Sequence, residues 1–456
     1  MADQQTATQD LADFVADLRY GDIPDEVITG IKLLFVDWLG SALAGANTGP
    51  AEMYRDFSAH MGPKSGPCID FSGGPDTSAF FAAMINAAAS HVVEQDDLHN
   101  SSVLHPATVV FSALVAAAQD HKVSGQDFLC AAVAGYEAGI RIGEFLGRSH
   151  YVHFHTTATT GTIAAAAAVA NLLGLDRAQT LHTFGTAGTK AAGLWEFLVD
   201  AADSKQIHTA SAASSGLFAA YSAKAGITGA KQILEGKHGM AAAMSTDSDV
   251  SKLNDRLGSR WATIETSYKW HASCRHTHPA ADALLAVFNE TGIEAADITA
   301  ITAHVHQGAI DVLGPVSEPT TIHQAKFCMA SVLGLIAVHR MAGLGEFDAH
   351  ALTDPNVRRF EKIVTMELDP DIDAAYPARW IGRVTVHTKD GNQHSARVVE
   401  PKGDPGNPLS SDEILDKARA LSRYGGNEPQ ARVNEWIDNI MTLEDQPDFT
   451  PVFTRK

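Results

Sequence analysis

Between residue 27 and residue 175 the chain carries a succession of stretches, VITGIKLLFVDWLGSALAGA, SAFFAAMINAAASHVV, ATVVFSALVAAAQDH and TGTIAAAAAVANLLGL, in which apolar residues recur at helical spacing. They are rich in alanine and glycine and lack long β-branched runs. Side chains this small let helix backbones approach closely, which suits a tightly packed α-bundle better than helices laid over a sheet. Breakers such as GPKSGP and FSGGPD separate the helices.

After about residue 265 the texture changes. ADITAITAHVHQGAIDV, RRFEKIVTMELDP and RWIGRVTVHTKDGNQHSARVVE alternate in the manner of strands, KDGN marks a hairpin, and helical patterns intervene at HPAADALLAVFNETG and TIHQAKFCMASVLGLIAVHR. The tail GDPGNPLSSDEILDKARALSRYGG begins as a loop and returns to helix behind serine caps. The expected fold is mainly α: a large helical bundle domain over 1–264 with 405–456, and a smaller inserted α+β domain over 265–404.

A formal charge of −20 argues against nucleic acid, so an anionic substrate needs a locally basic pocket. No run is read as the roughly 20 apolar residues of a membrane span, and the acidic start MADQQTATQDLADFVADL lacks a secretory pattern, so a cytoplasmic location is expected. Cys68, Cys130, Cys274 and Cys328 stand singly, without zinc-ribbon or iron–sulfur grouping.

Ionisable residues gather in four stretches. EQDDLHNSSVLHPAT holds Glu94, Asp96, Asp97, His99 and His105 between two helices. HFHTTATTG places His153 and His155 before an alanine helix, and GLWEFLVDAADSKQIHTASAASSG sets Lys205 and His208 three apart, on one face if helical. YKWHASCRHTHPAADALL brings Lys269, Cys274, Arg275, His276 and His278 ahead of a helix start, where anions bind well. Each has a plainer reading, as solvated connection or helix cap. The HxH pairs at 153–155 and 276–278 fall in no expected strand, and HExxH, GxSxG, GxGxxG and P-loop patterns are missing, which leaves acid–base chemistry with neither metal nor cofactor.

In their order and spacing, VDWLGSALAG, EQDDLHNSSVLHP, GYEAGIRIG, HTTATTG, SKQIHTA and KWHASCRHTHP resemble the MmgE/PrpD family, whose members include 2-methylcitrate dehydratase, cis-aconitate decarboxylase and iminodisuccinate epimerase. The resemblance implies a homodimer, an active site between the domains, and metal-free chemistry on small di- or tricarboxylates. It implies catalytic roles for Asp97, His105, Lys205, His208, Lys269 and Cys274. Glu94, His99, His155, Arg275 and His278 are the expected substrate-binding residues.

Four departures bear on the reaction. Glu94 replaces the family's first aspartate, Leu98 its threonine and Ala210 a glycine. Cys274 stands where the decarboxylase branch carries histidine, which ranks decarboxylation last among the family's reactions. A hydro-lyase acting through a carbanion next to a carboxylate is the leading expectation, with His105 oriented by Asp97 as one proton-transfer group. An epimerase using the same carbanion is the alternative, and a non-catalytic carboxylate-binding relative is a further one.

Overall fold

The computed structural model describes residues 6–200, 202 and 204–455; Met1–Gln5 of the acidic start and Ala201 and Asp203 of the third ionisable stretch lie outside them. Helix accounts for 60% of residues and strand for 8%, so the fold is mainly α with a small sheet in the C-terminal part, as expected. The chain forms two compact units. The larger comprises Met1–Trp195, Asp203–Thr266 and Ser410–Lys456, and the smaller Glu196–Ala202 and Ser267–Leu409.

In the larger unit the alanine-rich helix Thr156–Leu172 is buried along nearly its whole length. It packs against Gly125–Tyr151, Pro106–Asp120 and Lys205–Lys224. The small residues make this closeness possible: a Cβ on Gly216 would stand 2.6 Å from Ala165 Cβ and 2.7 Å from the backbone nitrogen of Ala166. Ser411–Gly425, opened by a reciprocal Ser410/Glu413 cap, lies on Asp25–Ala44, where a Cβ on Gly40 would come within 2.7 Å of Ala418 Cα. Phe35, Trp38, Phe71, Phe111 and Trp436 build an aromatic core where these elements meet.

Two differences from the sequence reading stand out. Asp25–Ala44 is, by length and composition, apolar enough to cross a membrane, although no such run was expected; 83% of its apolar window is buried inside the protein, the position of a core helix. Residues 226–264, inside the expected helical bundle domain, form mostly turns and short 3-10 segments, with one five-residue helix at Met240–Met244. Gly226, Gly229, Gly236 and Gly239 interrupt the apolar spacing there.

The smaller unit carries a four-stranded sheet in the order Val364–Leu368, Ile298–Val305, Gly382–Thr388, Gln393–Val398, the first pair parallel and the others antiparallel. The expected hairpin turns at Gly391, whose φ of 84° requires the freedom of glycine. His278–Thr291 packs on the last two strands. The TIHQAKFCMASVLGLIAVHR pattern is two helices, Ile322–Lys326 and Met329–His339, broken at Phe327 and Cys328.

Candidate active site

The segment from Glu94 to His105 joins Ala79–Val92 to Pro106–Asp120 and is held in a costly conformation. Glu94 and the β-branched Val103 have φ of 59° and 51°, a region that typically costs about 1–3 kcal/mol and persists only where surroundings enforce it. Three buried anchors do so. The Asp97 carboxyl accepts from the Tyr136 hydroxyl (2.8 Å) and the Ala107 amide (3.0 Å). Lys417 reaches across from the Ser411–Gly425 helix to the Gln95 carbonyl (2.8 Å) and the Asp37 carboxylate (2.7 Å). Lys205 forms a buried ion pair with Glu94.

These anchors aim a cluster of imidazoles. His91, the penultimate residue of its helix, donates Nδ1–H to Asp96 Oδ2 at 2.7 Å, both side chains being fully buried. His105 Nδ1 lies 2.6 Å from the Asp97 carbonyl oxygen and 3.4 Å from Asp96 Oδ2. Only a protonated Nδ1 satisfies those acceptors, so the lone pair of neutral His105 is on Nε2, and its side chain is 12% exposed. Asp97 therefore orients His105 through its backbone; the carboxylate facing the ring belongs to Asp96. From the sequence alone Asp96 carries no assigned role, and His91 is not among the expected site residues.

His155 precedes the Thr156–Leu172 helix, with its amide bonded to the Gly193 carbonyl. Its ring stacks near His91 at 5.6 Å, and its Nδ1 lies 3.2 Å from Nδ1 of His208, so the pair shares one hydrogen. Lys205 and His208 share a helix face, one turn apart. Thr209 bonds the Ala87 carbonyl (3.2 Å) and ties their helix to the one that ends at Val92.

Electrostatics separate the groups. Burial alone would raise the Asp96 carboxyl, but the adjacent His91 and His105 outweigh it and hold Asp96 below the ordinary carboxylate range. Burial pushes Asp97 well above that range, against its two hydrogen bonds. Burial lowers His91 to about 4 despite Asp96, and lowers His208 to about 4 with help from Lys205. His155 is driven well below its usual value by burial and then by His208. At neutral pH the buried Asp96 is thus an anion in a cluster where His91, His155 and His208 resist protonation.

His99 stands in a different network. Its Nδ1 accepts from the Ser102 amide (3.4 Å), and Nε2 lies 3.7 Å from Glu265, which shares Arg260 with Glu144. Both ring nitrogens of His99 are thereby engaged.

Within the smaller unit, Lys269, Cys274, Arg275, His276 and His278 are all buried. Arg275 forms a buried ion pair with Asp404, and its Nη1 lies 3.1 Å from His278 Nδ1. His278 Nε2 faces the Ser273 carbonyl at 3.3 Å, so both of its ring nitrogens are also committed, and burial followed by Arg275 holds it well below its usual value. His276 stacks on Trp380 at 4.6 Å and meets His306 at 3.4 Å. The Cys274 amide bonds the Lys326 carbonyl (2.9 Å) immediately before the short turn that leads into His278–Thr291.

Among the described residues, three groups bring metal-ligating atoms within 4.8 Å of one another: His91, Asp96 and His105; His99, Glu144 and Glu265; and His339, His350 and Asp354. The first is closed by its own short hydrogen bonds, and the carboxylates of the second are committed to Arg260.

Known proteins share this framework from end to end. The chain is 28% identical to a cis-aconitate decarboxylase of Aspergillus terreus (98% of this chain, 94% of the relative). It is 29% identical to a cis-aconitate decarboxylase-like protein of Aspergillus oryzae (97% and 95%), and 25% identical to the cis-aconitate decarboxylase of Mus musculus (99% and 93%). The MmgE/PrpD N-terminal domain matches residues 9–253 and the MmgE/PrpD C-terminal domain residues 271–443, so the chain belongs to the MmgE/PrpD family.

Proposed function

We propose that this protein is a lyase that acts on a small di- or tricarboxylate by moving a proton at a carbon next to a carboxylate, with its own side chains as acid and base. The observation that carries this reading is the pinning of His105: Nδ1–H is spent on the Asp97 carbonyl with Asp96 beside it, which leaves the Nε2 lone pair as the base on a side chain that is 12% exposed. A positioned general base of this kind contributes roughly 10²–10⁴-fold. The anion of Asp96 stabilises the imidazolium that forms when Nε2 takes the proton.

Loss of that proton spreads negative charge over the neighbouring carboxylate oxygens. A cation that gains contact with those oxygens as charge develops stabilises the transition state more than the ground state. Lys205 is our candidate, exchanging part of its interaction with Glu94 for the substrate carboxylate. In a water elimination the protonated His105 passes the hydrogen it has taken to the departing hydroxide, which leaves as water and restores the base; His208, kept neutral by burial and Lys205, is the proposed hydrogen-bonding partner of that oxygen.

The names of the relatives favour a second lyase reading, decarboxylation of a cis-aconitate-like tricarboxylate, in which loss of carbon dioxide leaves a carbanion of the same kind and the imidazolium form of His105 protonates carbon. Incubation with a panel of polycarboxylates in deuterated water, following alkene formation, carbon dioxide release and deuterium incorporation, tests both. Turnover to an alkene or to carbon dioxide, abolished in a folded His105→Ala variant, supports the proposal. Exchange with inversion and neither product would move the protein to the isomerases, and near-normal turnover by His105→Ala would remove His105 from the chemistry.

A further inference from the structure

In the smaller unit three helix ends meet. His339 closes Met329–His339, His350 closes Leu344–His350, and Asp354 caps Pro355–Arg358. The two imidazoles stack with centroids 4.0 Å apart and planes within 17°. Asp354 Oδ2 lies 3.6 Å from His339 Nε2, a nitrogen sealed from solvent with no hydrogen-bond partner. The other carboxylate oxygen accepts from the Asn356 amide (2.8 Å), so the cap fixes the carboxylate and leaves Oδ2 to face the rings. One donor atom from each of the three residues lies within 4.8 Å of the other two.

A buried ring nitrogen without a partner costs free energy unless something binds it. The last turns of Met329–His339 and Leu344–His350 supply the two imidazoles, and the cap of Pro355–Arg358 supplies the carboxylate. Two imidazole nitrogens and one carboxylate oxygen are a donor set suited to Zn²⁺ and its neighbours; Mg²⁺ and Ca²⁺ prefer all-oxygen sites. We propose that His339, His350 and Asp354 form a binding site for a divalent transition metal of the Zn²⁺ class, which links three helix ends. A metal lies in the plane of each imidazole that binds it, so the stacked rings must swing open toward the ion. Both His339 and Asp354 are partly exposed, at 24% and 18% of their side chains, which leaves a route for entry and room for water as a fourth ligand.

The test is a titration of the full chain with Zn²⁺, in buffer free of polycarboxylates, by calorimetry and by the metal-dependent rise in melting temperature. A visible spectrum with Co²⁺ reports the coordination. Wild type is expected to bind one Zn²⁺ that a His339→Ala/His350→Ala variant binds at least ten-fold more weakly, with loss of the Co²⁺ band. Asp354→Asn keeps an oxygen for the Asn356 amide, so the helix cap survives. It is expected to fold normally and bind several-fold more weakly, which keeps the test decisive if the double variant does not fold. Unchanged affinity in Asp354→Asn, unchanged affinity in a folded double variant, or the lack of saturable Zn²⁺ binding by wild type would each overturn the proposal.

Discussion

Asp96 Oδ2 lies 2.7 Å from Nδ1 of His91 and 3.4 Å from Nδ1 of His105, so a single buried anion serves two imidazoles whose centroids are 5.0 Å apart. The adjacent Asp97 carboxyl points elsewhere, to Tyr136 and the start of the next helix. Two neighbouring aspartates therefore do different work: one supplies charge beside the proposed base, and the other supplies shape.

That division predicts unequal variants. Asp96→Asn removes the charge that would stabilise the His105 imidazolium and should lower kcat by about 10²-fold, within the roughly 10²–10⁴ range of a general base, with KM little changed. Asp97→Asn replaces a carboxyl that burial already favours in its neutral form, and should keep kcat within a few-fold of wild type. Steady-state kinetics on both variants check this; equal losses would undo the assignment.

The ion pair of Lys205 with Glu94 predicts a separation of stability from activity. Lys205→Met alone takes the cation from a buried carboxylate, a change that typically costs about 3–5 kcal/mol. Lys205→Met/Glu94→Gln removes both charges and should recover most of that loss in urea unfolding while remaining inactive. A double variant that regained turnover would show that Lys205 is needed for folding alone.

The helix contacts at Gly216 give a prediction about the core. Gly216→Ala places a methyl 2.6 Å from Ala165 Cβ and 2.7 Å from the Ala166 nitrogen, so the helices must separate. Overpacking of this kind typically costs about 1–3 kcal/mol, more than the helix propensity gained from alanine, and thermal unfolding would read it.

The bundle was legible because it rests on periodicity: in Thr156–Leu172 thirteen of the seventeen residues are alanine, threonine or glycine, and that composition by itself demands close neighbours. The site was legible as stretches of chemistry, and less so as pairings. Asp97 was assigned to His105 because nothing in the sequence separates a side chain from the carbonyl beside it, and the strained turn that aims that carbonyl needs Lys417, more than 300 residues away, at Gln95. Arg275 was read as a grip for substrate, but its ion-pair partner Asp404 lies 129 positions along the chain and carries no local signal. His91 was hidden by its setting at the end of an apolar helix, where an imidazole reads as a cap.

Buried histidines predict how stability responds to acid. Burial lowers His91 and His150 to about 4, and His150 is held between Thr159 Oγ1 (2.8 Å) and the Met244 carbonyl (3.2 Å). In the unfolded chain each returns to about 6.5. Between those values the unfolded state binds a proton that the folded state does not, so stability is full above about pH 6.5 and falls as pH drops toward 4. The loss is at most about 3 kcal/mol for each histidine at 1.36 kcal/mol per pH unit. Asp96 has the opposite origin: its folded value is depressed below the unfolded value of about 3.9, so its contribution is lost only below that pH, outside this window. His150 has no proposed role in catalysis, so His150→Gln, neutral throughout, should reduce the slope of urea-unfolding free energy between pH 6.5 and 4.5. An unchanged slope would mean that His150 accepts a proton in the folded state as readily as in the unfolded chain.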